Sequence, residues 1–264
     1  MLAEIVPVIL TWNEAANIGR VLEALRWARR VVVLDSGSSD ATRAIAAGFA
    51  NVDWRERAFD SHAMQCNYAL EHLVADAAWV LFMDADYVLT PALREEIFAL
   101  DPSSEISGYR IRFRYCIDGQ PLSGTLYPPR VSLFRPERGR YVQEGHAHVL
   151  SIPGLVIDLH AAILHDDRKP RARFLANQRK YARLEADWLR QQPWSQLRLA
   201  DRIRRLIVIA PWLAPLFAYT VRGVWRDGRL GLRYIGERAL AEFLIANELL
   251  RRRPKPAADR DTAR

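Results

Sequence analysis

Two carboxylates lie one residue apart at the end of what otherwise reads as a buried strand. In the stretch LFMDADYVL, residues 81 to 89, an apolar run leads directly into Asp84 and Asp86 and then resumes. Open α/β sheets bind ligands outside the carboxyl ends of their parallel strands. Two carboxylates there suit Mg²⁺ or Mn²⁺, which keeps coordination positions open for phosphate oxygens. This chemistry predicts a nucleotide diphosphate ligand; the alternative is a polar turn in which Asp86 only caps the next helix.

Two other predicted strand ends carry polar clusters. TWNEAANIG places Thr11, Asn13 and Glu14 after the first strand, and LDSGSSDAT places Asp35 at the end of the second. Acidic strand ends that share one crevice are costly unless a cation or a hydrogen-bonding ligand compensates them. The combination therefore favours a ligand site over three unrelated turns.

The elements that must position these residues follow a βαβ rhythm through residue 100. The runs EIVPVIL, VVVLD, NVDWRER and AWVLFMD predict strands, and amphipathic stretches between them predict helices. From about 108 to 159 the pattern changes, and GYRIRFRYCI, RVSLFRP and GLVIDLH read as antiparallel or edge strands separated by turns such as IDGQ. Helices are expected after residue 166, including one from about Leu232 to Leu250.

Charge divides the chain unevenly. Residues 1–165 contain 15 basic and 20 acidic side chains, whereas residues 166–264 contain 23 and 11, and the chain as a whole has a net charge of +7. The basic part contains LIVIAPWLAPLFAYTV, residues 206–221, flanked by arginines. A spanning helix needs about 20 apolar residues, so a re-entrant or surface-lying segment on the inner membrane is expected, with a core helical hairpin as the alternative.

Several classes of protein lack support in the sequence. No recognised nucleic-acid-binding motif accompanies the positive charge, and the chain contains neither GxGxxG nor a Walker lysine motif. Two cysteines far apart indicate neither a disulfide framework nor a zinc site. The N-terminus reads as a strand rather than a signal peptide, so a cytoplasmic location is expected.

Four stretches in this order, TWNEAANIGRVLEAL, VVVLDSGSSDAT, MQCNYAL and WVLFMDADYVLTP, resemble the family 2 glycosyltransferases, in particular bacterial members of the lipopolysaccharide-core glucosyltransferase type. The resemblance covers residues 3 to about 190 and implies an α/β fold of the GT-A type, a Rossmann-like nucleotide-diphospho-sugar transferase fold. It predicts a catalytic domain at 1–165, with a nucleotide-binding half at 1–100 and an acceptor half at 101–165. A basic helical region at 166–253 and a disordered tail at 254–264 would follow.

The resemblance also implies roles for individual residues. Those that would contact the nucleotide sugar are Thr11, Asn13, Glu14, Asp35, Gln65, Asn67 and Asp84. Asp86 would ligate the metal, assisted by Asp84 and by His165, whose alternative is a buried hydrogen-bonded histidine. Arg130 lies where relatives keep a basic residue near the acceptor.

Two further assignments rest on the chemistry of the transfer. Arg168 and Lys169, in HDDRKP, are positioned to bind the diphosphate. Inverting transfer needs a base on the acceptor side, and YVQEGHAHVL offers Glu144, with His146 as the second choice. The alternative is that Glu144 only pairs with Arg130 or Arg140.

The sequence therefore predicts an inverting, metal-dependent family 2 glycosyltransferase with a nucleotide-diphosphate sugar donor. A lipid-linked or polysaccharide acceptor is expected, with peripheral association with the inner membrane and no nucleic-acid partner. Two alternatives remain: a nucleotidyltransferase with a similar sheet, and a non-catalytic membrane-associated protein that binds nucleotide sugars.

Overall fold

A parallel sheet forms the first half of the protein. The computed structural model describes residues 5–144 and 147–251. Its strands β1 (Ile5–Thr11), β2 (Val31–Asp35), β3 (Val52–Glu56) and β4 (Trp79–Asp84) stand in the order β3-β2-β1-β4, all parallel. Every residue of β2 is buried, as expected of a strand covered on both faces. The predicted α/β fold is confirmed.

Short helices connect these strands, namely α1 (Ile18–Ala24), α2 (Thr42–Ala46), α3 (His62–Tyr68) and, after β4, α4 (Pro91–Phe98). A π-helical turn over Ala69–Leu73 continues α3. Thr90, rather than Asp86, caps α4, because its hydroxyl accepts the Leu93 N–H. Asp86 is therefore not needed as a helix cap.

The sheet continues with strands of mixed direction. These are β5 (Tyr87–Leu89), β6 (Ile106–Ile117), β7 (Gln120–Pro121), β8 (Arg130–Phe134) and β11 (Leu155–His165). The order after β4 is β8-β6-β11-β5, and β7 pairs with the end of β6. β8 is antiparallel to both β4 and β6 as expected, whereas β11 runs parallel to β6. Parallel pairing of β6 and β11 is possible because β8 reverses the chain between them. A separate hairpin, β9 (Arg140–Glu144) and β10 (Ala147–Ser151), lies between β8 and β11 along the chain.

The turn between β6 and β7 matches the sequence pattern. The β6–β7 turn at IDGQ has positive φ at both Asp118 (50°) and Gly119 (83°), as in the two-residue hairpin turns that favour Asp-Gly. At Gly119 a side chain would also collide with the guanidinium of Arg168. The predicted turn is confirmed, and it brings the hairpin against the HDDRKP segment.

In the residues described after β11, four α-helices follow: α5 (Arg171–Gln191), α6 (Leu199–Arg205), α7 (Ala210–Thr220) and α8 (Gly228–Leu250). α8 packs against both α5 and α7. It begins four residues before the predicted start at Leu232. Within the described residues, no helix combines the length and the apolar character needed to cross a bilayer. The predicted tail at 254–264 lies outside the described residues.

One side chain joins the β9–β10 hairpin to the parallel half. The amide of Asn67 in α3 donates to the carbonyl of Tyr141 and accepts from its N–H, both at 2.9 Å. These two bonds resemble those of a neighbouring strand. They position β9, the strand of the hairpin that ends at Glu144.

Replacing Asn67 by alanine should therefore destabilise the protein. Loss of both bonds leaves the Tyr141 backbone groups without this partner, which should lower the free energy of unfolding by about 1–3 kcal/mol. Urea unfolding measures this change. Arg140→Ala is the matched control on the same contact, because Arg140 and Glu71 form an exposed ion pair (3.1 Å), and its loss should cost less than about 1 kcal/mol. Equal effects of the two substitutions would contradict the structural role of Asn67.

Candidate active site

Strand register brings the predicted acidic strand ends to one edge of the sheet. Thr11 pairs with Asp35 across β1 and β2, and Leu10 pairs with Asp84 across β1 and β4. Asp35 and Asp84 therefore flank the end of β1, as expected from parallel strands that share one carboxyl edge.

A short antiparallel pairing adds Asp86 to this edge. Tyr87 of β5 pairs with His165, the last residue of β11, and the Asp166 N–H donates to the Asp86 carbonyl at 2.9 Å. Two distant segments, DADY and LHDD, are thereby held side by side. The pairing places the predicted metal ligands Asp84, Asp86 and His165 in one region.

Asp86 and His165 face each other at this junction. Asp86 Oδ2 lies 3.4 Å from His165 Nε2. Within the part of the chain that the structure describes, Asp86 Oδ1 and His165 Nδ1 are both buried and have no hydrogen-bond partner. Buried polar atoms are nearly always paired, so these two atoms are available to a ligand.

Aromatic rings enclose the imidazole. The rings of Tyr87, Tyr115 and Tyr127 pack edge-on against His165, with centroids 5.0–5.2 Å away. Burial acts to lower the pKa of His165, but the neighbouring carboxylate of Asp86 outweighs it and raises that pKa above its ordinary value. The protonated form is therefore favoured by Asp86.

Arg130 lies beside this cluster. Its guanidinium is 4.9 Å from the centre of the Tyr127 ring, and the hydroxyls of Tyr127 and Tyr87 are hydrogen-bonded to each other. Burial raises the pKa of Tyr127 to about 12, with the charge of Asp84 adding to the effect. The predicted acceptor residue is thus close to the carboxylates, and Asp84 already has an interaction partner.

The loops after β1 and β2 are held together by their own polar groups. Both oxygens of Asp35 accept hydrogen bonds within its own turn, from the Gly37 and Ser38 N–H groups and the Ser38 hydroxyl. Asn13, in the left-handed region (φ 54°), accepts the Ser39 N–H at 2.8 Å. Asp35 and Asn13 therefore shape the loops whether or not they also contact a nucleotide.

Thr11 differs from its neighbours. Its hydroxyl is buried at the end of β1 and has no hydrogen-bond partner among the described residues. An unpaired buried hydroxyl at this edge is a further polar atom available to a ligand.

A buried ion pair connects the β1 loop to the segment after β11. Lys169 Nζ contacts Glu14 Oε1 at 2.5 Å and Asp167 Oδ2 at 3.7 Å. Burial raises the pKa of Glu14, with Lys169 opposing the shift and Asp86 adding to it. Burial acts to lower the pKa of Lys169, but the carboxylates of Glu14, Asp86 and Asp167 outweigh it and raise that pKa. Lys169 therefore stays charged beside the acidic edge.

Asn17 holds the two segments in register and was not selected by the sequence reasoning. Fully buried, it donates to Glu14 and Asp167 and accepts from the Arg20 side chain and the Arg168 N–H. Its two donors and its acceptor oxygen are thus all engaged. The sequence signal that could have revealed it is an asparagine that stands between Glu14 and the apolar face of the next helix.

Of the other predicted donor-site residues, Gln65 and Asn67 are committed to protein partners. Gln65, also buried, bonds the Arg57 side chain, the Arg57 carbonyl and Ser36, and so supports the loop after β2. Asn67 bonds only the Tyr141 backbone in the described residues. Their contact with a nucleotide stays a prediction.

Arg168 lies at the rim of the site. It is exposed, and its Nε donates to Asp166 Oδ1 at 2.7 Å. Burial raises the pKa of Tyr181 in α5, Lys169 opposes this shift, and Asp84 and Asp86 add to it. Tyr181 is not among the site residues predicted from the sequence.

The predicted base lies at the margin of what the structure describes. Glu144 ends β9, paired in register with Ala147 of β10, but its side chain lies outside the described part, and His146 lies outside the described residues. Arg140, one proposed partner of Glu144, pairs with Glu71 at 3.1 Å.

The polar side chains at this junction fit a divalent cation that is held partly by the protein and partly by a bound ligand. No group of three or more His, Cys, Asp or Glu side chains among the described residues has the arrangement to hold a metal ion alone. Magnesium is commonly bound by one or two carboxylates together with substrate phosphates. The unpaired Oδ1 of Asp86 beside Asp84 and His165 meets that requirement.

Comparison with known proteins identifies the family of the chain. The model of the family described as "Glycosyl transferase family 2" matches residues 8–140. The chain is 30% identical over 253 residues to the lipopolysaccharide core biosynthesis glycosyltransferase LpsC of Rhizobium meliloti (strain 1021), covering 92% of this chain and 91% of that protein.

Solved structures give weaker similarities. S. aureus TarS (residues 1–349) in complex with UDP-GlcNAc is 15% identical, with 90% of each chain covered and a TM-score of 0.48. Glucosyl-3-phosphoglycerate synthase from Mycobacterium tuberculosis, in complex with Mn²⁺, UDP-glucose and phosphoglyceric acid, is 20% identical over 42% of this chain and 43% of that chain, with a TM-score of 0.36. Assignment therefore rests on the family model and on the relative matched along most of its length. The chain belongs to glycosyl transferase family 2.

Proposed function

We propose that this protein is an inverting, metal-dependent glycosyltransferase that moves a sugar from a nucleotide-diphosphate donor to a lipid-linked or polysaccharide acceptor. The observation that supports it most is the pair of unpartnered buried atoms, Asp86 Oδ1 and His165 Nδ1, beside Asp84 at the ligand-binding edge of the sheet. The relative named for lipopolysaccharide core biosynthesis makes a lipopolysaccharide precursor in the bacterial cytoplasm the proposed acceptor.

Asp86, with Asp84 and His165, would hold the cation. Bound there, Mg²⁺ or Mn²⁺ would neutralise the negative charge that develops on the leaving nucleoside diphosphate. Proton competition for His165 matters here, because Asp86 favours its protonated form and a histidine must be neutral to bind a metal.

Several residues of the chain would act on the donor directly. The Thr11 hydroxyl is free to bond the nucleotide. Lys169 has three ammonium donors, and the charge it keeps beside Glu14 and Asp167 favours the diphosphate. Arg168, exposed at the rim, would contact the diphosphate from outside the sheet.

On the acceptor side, Arg130 and a base would act. Arg130 stacks on Tyr127 near Asp84, where it would orient an acceptor hydroxyl or a charged group beside it. Glu144, or alternatively His146, would take the proton of the attacking hydroxyl while the sugar carbon is attacked on the face opposite the leaving phosphate.

The two alternatives predict different measurements. A nucleotidyltransferase of this sheet type is expected to carry a Gly-rich GxGxR loop after its first strand, which TWNEAANIG does not supply. A non-catalytic protein would bind nucleotide sugars without consuming them. Donor hydrolysis by the purified protein with Mn²⁺ separates turnover from binding.

Asp86→Asn should weaken binding of the donor. The change removes a negative charge from the cation site. Loss of a residue that only supports a metal ligand reduces metal affinity by about 10–100-fold, so loss of the proposed ligand Asp86 should reduce it by at least as much. Thermal shift with a panel of nucleotide sugars, with and without Mn²⁺, measures it, because a ligand that binds the folded state raises the apparent melting temperature. Asp158→Asn is the control, since Asp158 only pairs with Arg110 in an exposed contact.

If no nucleotide sugar stabilises the native protein in the presence of Mn²⁺ or Mg²⁺, the proposed donor is wrong. Equal stabilisation of the native protein and of Asp86→Asn would instead exclude Asp86 as a metal ligand.

Lys169→Met should destabilise the protein, and the loss of stability should depend on pH. It leaves the Glu14 carboxylate buried without its cation, and breaking a buried pair costs about 3–5 kcal/mol. Burial already raises the pKa of Glu14, so its ionisation opposes folding as pH rises from the unfolded value of about 4.3. The deficit of the variant, measured by urea unfolding, should therefore be larger at neutral pH than at acidic pH.

The double variant Glu14→Gln, Lys169→Met is the control for that experiment. Without the buried charge, it should recover stability relative to Lys169→Met and lose the added pH dependence. A deficit of Lys169→Met that is the same at both pH values would show that lost packing, not the uncompensated carboxylate, is responsible.

A further inference from the structure

Helix α7 buries its small side chains and exposes its bulky apolar ones, which is the reverse of an ordinary surface helix. The residues that it buries are small or cyclic: Ala210, Pro211, Pro215 and Ala218. Its bulky side chains are exposed, with Trp212 at 68% and Leu216 at 58% of full exposure. Packing of α7 on α8 therefore uses the small residues and leaves the large apolar ones in contact with solvent.

The exposed surface extends beyond the helix itself. Val208, Trp212, Leu216, Phe217, Val221 and Trp225 are all exposed, and we name these six residues the α7 face. Soluble monomers rarely expose contiguous apolar patches of this kind unless another molecule covers them.

A strained turn contributes to this exposure. Ile207 has a φ of 65°, a region that β-branched residues rarely adopt. The turn separates α6 from α7 and leaves Val208 at 72% exposure. Such strain costs about 1–3 kcal/mol in general, so an apolar residue is held outward against a local conformational preference.

Arginines surround the α7 face. No charged residue occurs between Leu206 and Val221, whereas Arg222, Arg226 and Arg229 follow directly and are exposed. The guanidinium of Arg222 lies 5.6 Å from the centre of the Phe217 ring, and that of Arg226 lies 5.2 Å from the Trp225 ring. An apolar centre thus adjoins a cationic margin.

Nearby acidic groups are engaged away from this margin. Asp201 and Glu242 both pair with Arg204, at 3.4 and 2.9 Å. The carboxylate of Asp227 accepts the N–H of Ser123 at 2.9 Å and its hydroxyl at 2.7 Å. Hydrogen bonds from the neutral Ser123 leave the charge of Asp227 in place, but Arg222, Arg226 and Arg229 outnumber it, so the net charge beside the α7 face is positive.

We propose that the α7 face binds the surface of an anionic lipid bilayer, with its aromatic and aliphatic side chains in the headgroup layer and its arginines on the lipid phosphates. This combination matches helices that lie in the membrane interface. A second copy of the chain fits less well, because a two-fold interface would bring the same arginines against one another.

The α7 face is fixed to the catalytic half of the protein. The Tyr234 hydroxyl of α8 accepts the Leu126 N–H at 2.8 Å, next to Tyr127 at the site. Gly124 lies so close to the Arg222 carbonyl that a Cβ there would come within 1.9 Å of it. The bilayer-binding surface and the loop that bears Tyr127 therefore form one packed unit. The inference rests on the proposed function only because that function gives the site a lipid-linked acceptor.

Sedimentation with vesicles tests the proposal on the full chain. The native protein should bind vesicles of phosphatidylglycerol and phosphatidylethanolamine at low salt, bind them more weakly at high salt, and bind phosphatidylcholine vesicles poorly. Trp212→Glu with Leu216→Glu should lower the affinity by about tenfold or more. Arg222→Gln with Arg229→Gln, which leaves the apolar residues intact, should lower it and reduce its salt dependence.

Leu155→Glu is the control, because Leu155 is also an exposed leucine (50%, against 58% for Leu216) and lies on β11. It should bind vesicles as the native protein does. The proposal is wrong if neither pair of substitutions weakens binding, if Leu155→Glu weakens it equally, or if binding does not depend on anionic lipid. A dimer in solution that Trp212→Glu with Leu216→Glu dissociates would assign the α7 face to a second copy instead.

Stabilisation by nucleotide sugar, measured on the same variants, separates this inference from the proposed function. A variant that loses vesicle binding but keeps nucleotide-sugar binding would confirm the surface and leave the function intact. If the native protein binds vesicles but no nucleotide sugar, the proposed function fails while the surface stands.

Discussion

The site depends on the short antiparallel pairing between β5 and the end of β11. Three residues of β5 are enough to align Tyr87 with His165 and to hold Asp86 3.4 Å from the imidazole. Because the pairing is made by backbone hydrogen bonds, the two side chains need no direct strong bond to stay together. One oxygen of Asp86 and one nitrogen of His165 are left without a partner among the described residues, and this arrangement costs stability unless a ligand completes it.

The polar residues around that junction divide into two groups with different physical roles. Asp35, Asn13, Asn17 and Gln65 have their bonding capacity largely committed to neighbouring loops. Thr11, Asp86 and His165 each keep a buried polar atom unpaired in the described structure. The first group explains how several loops from separate strands hold one shape, and the second lies where we propose that a ligand binds. Lys169 belongs to both, since it neutralises Glu14 and remains charged beside the acidic edge.

Packing in the C-terminal helices follows another constraint. α8 contacts α5 and α7 and also anchors the loop at 123–127 through Tyr234. Small residues of α7 let it approach α8 closely, and this leaves the bulky side chains outside. The same helix pair therefore supports the loop at 123–127 and presents an apolar, arginine-bordered surface to the surroundings.

Local patterns in the sequence determined the parallel half, the acidic strand ends and the Asp-Gly hairpin. Continuous β-branched runs specify buried strands, and parallel strands must share one carboxyl edge, so Asp35 and Asp84 could be assigned to the same region without coordinates. The 16-residue apolar run between arginines likewise predicted a segment that does not cross a membrane, and no spanning helix occurs in the described residues.

Only the tertiary structure decided which distant segments meet. β11 runs parallel to β6 because the antiparallel strand β8 reverses the chain between them, and a local pattern carries no information on such a partner. The same holds for the bonds of Asn17 to Asp167 and Arg168 and for the pairing of Asn67 with the Tyr141 backbone. Each joins residues far apart in sequence, where the choice of partner is set by sheet order and helix packing rather than by residue type. The sequence by itself thus determined the chemistry available at the sheet edge, and the fold decided which of those atoms were left unpaired for a ligand.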